Sequence, residues 1–221
     1  MIIVNPGQED YHMHSLNFSD GWSTIDEIVR FAGEIGLKKI AITDHSDAEL
    51  RTHPLSKKTY RSIIRRWANV HNQVEVLFGV EGDILNQQGD INEEIQGFTG
   101  DFLVLSAHPD TYHDHPQDIN LAYRRAIEEH HKKIDCIGHP DAKYFSSFVD
   151  MRELVRVAND YGVALEFNCV GLLKGNSELP LLEIMLERAD RIYVNSDAHT
   201  LNELRDARTK GFEYLRNHGL I

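Results

Sequence analysis

His12 and His14 stand two residues apart, and Asp197 and His199 repeat that interval near the other end of the chain. On an extended backbone, residues i and i+2 share a face, so each pair can aim two donor atoms at one point. Between the pairs come His45, Glu81, His108 and His139, each close after a short apolar run, and Asp20 in the turn-like string Ser19-Asp20-Gly21. Six imidazoles and three carboxylates form the mixed nitrogen and oxygen set that suits zinc, manganese or iron. Any one of them has a plainer reading: a histidine pair is as readily solvated surface, and Asp-Gly is first a turn signal. Recurrence decides the matter in favour of a multinuclear metal site of the hydrolytic kind. A carboxylate can bridge two cations through its two oxygens and an imidazole cannot, so Glu81 is expected between two ions.

Residues so far apart need a scaffold that gathers strand ends. Apolar runs with little alternation mark strands at 11–14, 39–43, 74–81, 102–106, 134–137, 163–167 and 191–195, as in parallel sheets buried on both faces. Helical periodicity fills the gaps at 25–35, 60–71, 119–131, 151–161, 179–188 and 202–218. Thr24 and Glu27 form a capping-box pair for the first of these, and Gly36 and Gly162 stop two of them. Six of the seven strand ends carry candidate ligands, which favours a closed α/β barrel over an open sheet with a single switch point. Closure makes the first and last strands neighbours, so the two i, i+2 pairs should meet. His108 and His139 each precede Pro-Asp; Asp110 and Asp141 either accept from those imidazoles or serve the turn. His113 and His115 follow the fourth strand and could edge the pocket.

The remaining composition narrows the classes. With 221 residues, 41% of them apolar and 26% charged, the chain reads as one soluble domain spanning 1–221. Its 35 acidic and 23 basic residues give a formal charge of −12, a poor surface for a polyanion but no obstacle to a small phosphorylated substrate held by metals. Cys136 and Cys169 make no disulfide framework, and no segment approaches membrane-spanning length, so a cytoplasmic protein is expected. Neither a P-loop nor a dinucleotide-binding glycine fingerprint is present. Ser196, beside Asp197 and His199 on one extended stretch, cannot form a relay triad.

His12-Met13-His14-Ser15, Ser19-Asp20-Gly21, Thr43-Asp44-His45-Ser46, Gly79-Val80-Glu81, Gly138-His139-Pro140 and Ser196-Asp197-Ala198-His199 follow one another in the order found in the PHP (polymerase and histidinol phosphatase) family, which this chain resembles from about residue 10 to residue 200. The resemblance implies a distorted seven-stranded (β/α)7 TIM-like barrel, three divalent transition-metal ions (zinc, manganese or iron) and phosphoesterase activity. One ion would take His12, His14, Glu81 and Asp197; a second Glu81, His108 and His139; a third Asp20, His45 and His199. Glu81, Asp197 and His199 are then the expected catalytic residues, with a hydroxide bridging the two ions that share Glu81. Val163 to Asn168, followed by Gly171-Leu172 and Pro180, is similar to the histidinol phosphatase branch. That branch carries arginine where this chain has Leu173 and Lys174, and histidine at Asp20. Asp20-Gly21 and Thr43 to Ser46 look more like the PHP domains of bacterial family X polymerases. The reading adopted is hydrolysis of a phosphomonoester of a small metabolite, with Lys174 as a phosphate contact. The rival is a 3′–5′ exonuclease or nucleotidase, for which Lys57, Lys58, Arg61, Arg65 and Arg66 would supply a basic track.

Overall fold

The computed structural model describes residues 1–52 and 64–221. Its chief element is a curled parallel sheet. The strands are β1 (Ile2–Ile3), β2 (Glu9–Asp10), β3 (Lys39–His45), β4 (Glu75–Ile84), the short β5 (Ile91–Asn92), β6 (Glu94–Ile95), β7 (Phe98–Thr99), β8 (Leu103–Ser106), β9 (Cys136–Ile137), β10 (Ala164–Asn168) and β11 (Arg191–Asn195). Eight of them run parallel in the order β1-β11-β10-β9-β8-β4-β3-β2, while β5 pairs antiparallel with β4 and β6 with β7. The helices are α1 (Ile25–Glu34), α2 (Asp47–Thr52), α3 (Ile119–His130), α4 (Met151–Tyr161), α5 (Cys169–Leu173), α6 (Leu179–Arg188) and α7 (Leu201–Asn217).

Local chemistry accounts for the helix ends. Thr24 and Glu27 form the reciprocal capping box, and Thr200 and Glu203 repeat it on α7. Asp150 caps α4 through the amides of Arg152 and Glu153, and Gly162 ends it at φ +71°. Each helix then buries one stripe: α1 sets Ile25, Ile28, Val29 and Ala32 against the sheet, each large aliphatic contributing about 1.5–3 kcal/mol on burial. The expected helix over 60–71 lies partly outside the described residues; 64–66 are helical and 67–70 are not.

Two apolar layers result. The larger lies between sheet and helices, and a smaller one fills the inside of the curl: Tyr11, Phe102 and Tyr193 stack as a plug with Ala41, Val104, Cys136 and Ala164. Tyr11 stacks on Phe102 at 5.0 Å, and Tyr193 meets both edge-on. Stepping by two residues from that plug keeps to the inner face. Val104 leads to Ser106 and His108, Ala164 to Glu166 and Asn168, Tyr193 to Asn195 and Asp197, and Ala41 to Thr43 and His45. The plug is thus the floor beneath a polar layer.

The first strand differs from expectation. Where one strand was read at 11–14, the chain makes two two-residue strands, β1 on β11 and β2 on β3. Residues 11–13 then satisfy their amides with side chains: Tyr11 N donates to Asn195 Oδ1, His12 N to Asp10 Oδ1 and Met13 N to Thr43 Oγ1. The curl closes along this seam. Asp197 N donates to the His12 carbonyl and His14 N to the Ala198 carbonyl, both at 3.0 Å, around a single Met13–Ala198 bridge. Asn5 pairs with the Val194 backbone in both directions, and Arg208 from α7 donates to the carbonyls of Val194, Gly7 and Asn5.

Candidate metal centre

All nine candidate ligands come together at the carboxyl ends of the strands. His12 Nε2, His14 Nε2, Glu81 Oε2 and Asp197 Oδ1 are separated by 3.1 Å (His12–His14), 3.6 and 3.5 Å (to Glu81) and 3.5 and 3.3 Å (to Asp197). Four donors about 2.0–2.1 Å from one tetrahedral ion stand about 3.3–3.4 Å apart. Each of the two imidazoles keeps about that spacing from the other, from Glu81 and from Asp197. On the other oxygen of Glu81, His139 Nε2 lies at 2.9 Å and His108 Nε2 at 3.4 Å. Asp20 Oδ1 meets His45 Nε2 at 3.4 Å and His199 Nε2 at 3.2 Å.

His45 stands between groups. Its Nε2 faces Asp20, while its Nδ1 lies 3.0 Å from Glu81 Oε2, buried and without a hydrogen bond. Two close donor atoms that do not bond each other fit a shared cation between them. The other five imidazoles leave Nε2 for such an ion because Nδ1 is engaged: His12 with Glu166 (2.9 Å), His14 with Ser19 (3.0 Å), His108 with Asp83 (2.8 Å), His139 with the Tyr144 hydroxyl (2.8 Å) and His199 with the Asp197 carbonyl (3.1 Å). Ser106 donates to Glu81 at 2.7 Å and Asn168 to Asp197 at 2.8 Å.

Electrostatics agree with the donor geometry. Burial opposes charge on His12, but Glu166, Asp197 and Glu81 outweigh it and hold the imidazole well above its ordinary value. Burial, with His199 and His45 nearby, pushes His14 down to about 3. Against burial, Glu81 and Asp20 lift His45 to about 10. Burial also disfavours the Glu81 charge, yet His108, His12 and His45 keep its carboxyl well below the usual range. Protons on imidazoles thus balance the carboxylates, and a divalent cation would take over that role by exchange for protons.

The backbone is forced at two of these positions. His139 has φ +26° and Asp197 φ +57°, a left-handed region that costs non-glycine residues roughly 1–3 kcal/mol and survives where neighbours impose it. His139 N is held by Glu166 Oε2 at 3.0 Å, and Asp197 N by the His12 carbonyl. At Gly21 a Cβ would sit 2.1 Å from the His14 carbonyl, so only glycine lets the Asp20 turn approach the ligand strand.

Above the ligands opens a cavity of about 460 Å³, lined by Asp20, His45, Glu81, His108, His139, Asp197 and His199 and rimmed by Trp22, Tyr144, Lys174, Ser177 and Glu203. Lys174 sits at that rim, 56% exposed, with Nζ paired to Glu203. Several alternatives that the sequence leaves open are decided here. Asp110 is exposed and Asp141, though buried, hydrogen-bonds neither imidazole; Asp83 and Tyr144 take those places. His113 and His115 are exposed and outside the lining. Of the basic track, Lys57, Lys58 and Arg61 lie outside the described residues, and Arg65 and Arg66 are exposed away from the cavity. Glu166 and Asp83 were missed, although each gave a signal: Glu166 is a charge inside an apolar strand, and Asp83 is the i+2 partner of Glu81.

A curled parallel α/β sheet with imidazoles and carboxylates converging at its strand ends defines a metal-centre protein of the barrel-like class. The PHP domain family matches residues 10–169. A Shewanella piezotolerans protein described as a probable phosphatase is 31% identical over 217 residues, covering 89% of this chain and 80% of that one. The chain belongs to the PHP domain family. Two solved structures share the fold. One, from Listeria monocytogenes, has a TM-score of 0.59 at 15% identity, covering 91% of this chain and 99% of its own. The other, histidinol phosphate phosphatase of Lactococcus lactis subsp. lactis complexed with zinc, L-histidinol and phosphate, has 0.58 at 17%, covering 92% and 93%. Among the described residues no helix is long and apolar enough to cross a membrane.

Proposed function

We propose that this protein is a metal-dependent phosphoric ester hydrolase acting on a phosphomonoester of a small metabolite. The observation that carries the reading is Glu81, whose two oxygens face separate sets of imidazoles while Asp197 stands against His12 and His14 on one side. The named activity of the Shewanella relative and the zinc and phosphate in the Lactococcus structure support it. In this reading β1 and β2 are two halves of one stave, giving the distorted seven-stranded barrel, and residues 1–221 are one PHP domain. Cys136 and Cys169, buried and unpaired, suit a reducing cytoplasm.

His12, His14, Glu81 and Asp197 would hold one divalent ion, Glu81, His108 and His139 a second, and Asp20, His45 and His199 a third, with His45 also within reach of the Glu81 side. Such ions, when bound, supply a water that ionises near neutrality and offset charge growing on the phosphoryl oxygens. The chain supplies the alignment. Glu166, Ser19 and Asp83 orient the inward imidazole nitrogens, Ser106 and Asn168 fix the two carboxylates, and the buried floor excludes water from below. Asp197 and His199 face the cavity with Glu81 and complete the catalytic set. Lys174 at the rim would meet the phosphate as a point charge.

Elemental analysis of protein purified without chelator should find more than two equivalents of zinc, manganese or iron per chain at saturation; a stable value of one would overturn the three-ion assignment. A screen over phosphorylated metabolites, nucleotides and single-stranded oligonucleotides tests the activity. Release of inorganic phosphate from small monoesters is the expected result, and processive shortening of oligonucleotides alone would replace this reading with the exonuclease. Lys174→Ala should raise KM for phosphomonoesters about fivefold, the ~1 kcal/mol of a partly exposed charge contact, while Arg65→Ala leaves it alone. An unchanged KM in Lys174→Ala would remove Lys174 from the phosphate site.

A further inference from the structure

The edge of β11 is paired by backbone, then by side chains, then by backbone again. Val4 N donates to the Ile192 carbonyl at 2.8 Å, and Asp197 N to the His12 carbonyl at 3.0 Å. Between these rungs β1 has ended and β2 pairs with β3 instead. Buried peptide groups left on that stretch of edge need partners from elsewhere. Asn5 takes both backbone groups of Val194, and Asp10 takes the amide of Ser196 at 3.1 Å.

Asp10 differs from Asn5 in what its acceptor spans. The single atom Oδ1 accepts from Ser196 N and, at 3.3 Å, from His12 N. A carboxylate oxygen has room for two donors, and these two come from the chain segments that carry the ligand pairs. One is the amide of His12 itself, and the other is the amide just before Asp197. Because both are tied to one atom, Oδ1 sets how far the His12/His14 segment stands from the Asp197/His199 segment. Asp10 is fully buried, and its Oδ2 has no hydrogen-bond partner among the described residues. A buried charge needs a counterpart. Arg208 of α7 supplies it, lining the same narrow cleft of about 110 Å³. Its guanidinium is anchored on the carbonyls of Val194, Gly7 and Asn5 and lies 4.9 Å over the Phe212 ring. The carboxylate thus has two separable properties: an acceptor shared by two ligand segments, and a charge balanced from α7.

We infer that Asp10 is a positioning residue for the ion assigned to His12, His14, Glu81 and Asp197, acting through Oδ1, which fixes the separation of the two ligand segments. This rests on the metal assignment in the proposed function, and its test reads metal binding, so failure of the phosphatase reading alone leaves the outcome unaffected. A wild type that binds no zinc, manganese or iron would overturn the metal centre and this role together.

Zinc affinity of the folded variants, measured by competition with a chromogenic chelator, separates positioning from stability. Asp10→Ala should bind zinc about 10–100-fold more weakly, with kcat recovering as zinc is added in excess. Asp10→Asn keeps an acceptor at Oδ1 and loses the charge balanced by Arg208. It should melt lower than wild type yet hold zinc nearly as tightly. Leu215→Ala, a truncation of a fully buried side chain on α7, should lower Tm and leave zinc affinity unchanged. Wild-type affinity in Asp10→Ala overturns the inference, as does a loss in Asp10→Asn or Leu215→Ala as large as that in Asp10→Ala. Where Asp10→Ala yields no folded protein, amide hydrogen exchange in the wild type decides. Coupling between the ion and Asp10 runs both ways, so zinc should slow exchange at His12 and Ser196 more than at Arg152 and Glu153, the amides capped by Asp150. Equal slowing at all four would leave Asp10 a structural residue and overturn the positioning role.

Discussion

Glu81→Gln should abolish turnover while leaving the fold in place. Both oxygens of Glu81 are committed: Oε1 to His139, His108 and Ser106, and Oε2 to His12, His14 and His45. Glutamine has nearly the same shape, keeps one acceptor and turns the other position into a donor, which cannot bind a cation and faces imidazoles across 3–3.6 Å. Residues that merely support a ligand cost about 10–100-fold in metal affinity or activity when replaced. A carboxylate shared between two groups should exceed the top of that range, so kcat is expected to fall by more than about a hundredfold, with metal lost from both sides. Far-UV circular dichroism should stay native, because the floor inside the curled sheet is Tyr11, Phe102 and Tyr193 and not the ligands. A variant with wild-type kcat and confirmed full metal content would show that Glu81 has no such role.

Glu166→Gln should act one step removed. Glu166 is fully buried and accepts only: His12 Nδ1 and Asn195 Nδ2 on one oxygen, both at 2.9 Å, and His139 N and Asn168 Nδ2 on the other, at 3.0 and 3.4 Å. An amide must set its own N–H groups against one of those donor pairs, so either the His12 ring or the strained His139 backbone loses its hold. Metal affinity, measured by competition with a chromogenic chelator, should drop about 10–100-fold, and excess metal should restore much of kcat. Glu166→Asp, which keeps the charge, should lose less. An affinity equal to wild type would make Glu166 a packing residue.

Much of this site was legible in the sequence because ligand chemistry is carried by residue type and interval. His12/His14 and Asp197/His199 needed only the two-residue period of a strand, and their meeting needed only closure. Helices α4 and α6 and strand β11 have the bounds their local signals set, since Asp150, Gly162 and the apolar run at 191–195 act within a few residues. Features that depend on partners distant in the chain were not legible. β1 is two residues whose pairing exists only because β11 offers an edge. The stretch 11–14 reads as a strand by burial, but Asn195, Asp10 and Thr43 take its amides. His45 could not be given to one group from spacing, because its two nitrogens face different carboxylates.

The seam between residues 12–14 and 197–199 has a kinetic meaning. Contacts across it, such as Ser196 to Asp10 and to the His12 carbonyl, join positions more than 180 residues apart. Closing so long a loop is an entropic cost that grows only slowly with length but must be met before the contacts reward it. No fragment shorter than residues 12–197 contains the His12, His14, Glu81 and Asp197 quartet. A nascent chain still missing its last strand carries His12, His14 and Glu81 but not the fourth donor of that set. All four donors therefore meet only once β11 is in place, and an ion held there would tie residues 12–14 to 197–199 in the manner of a cross-link.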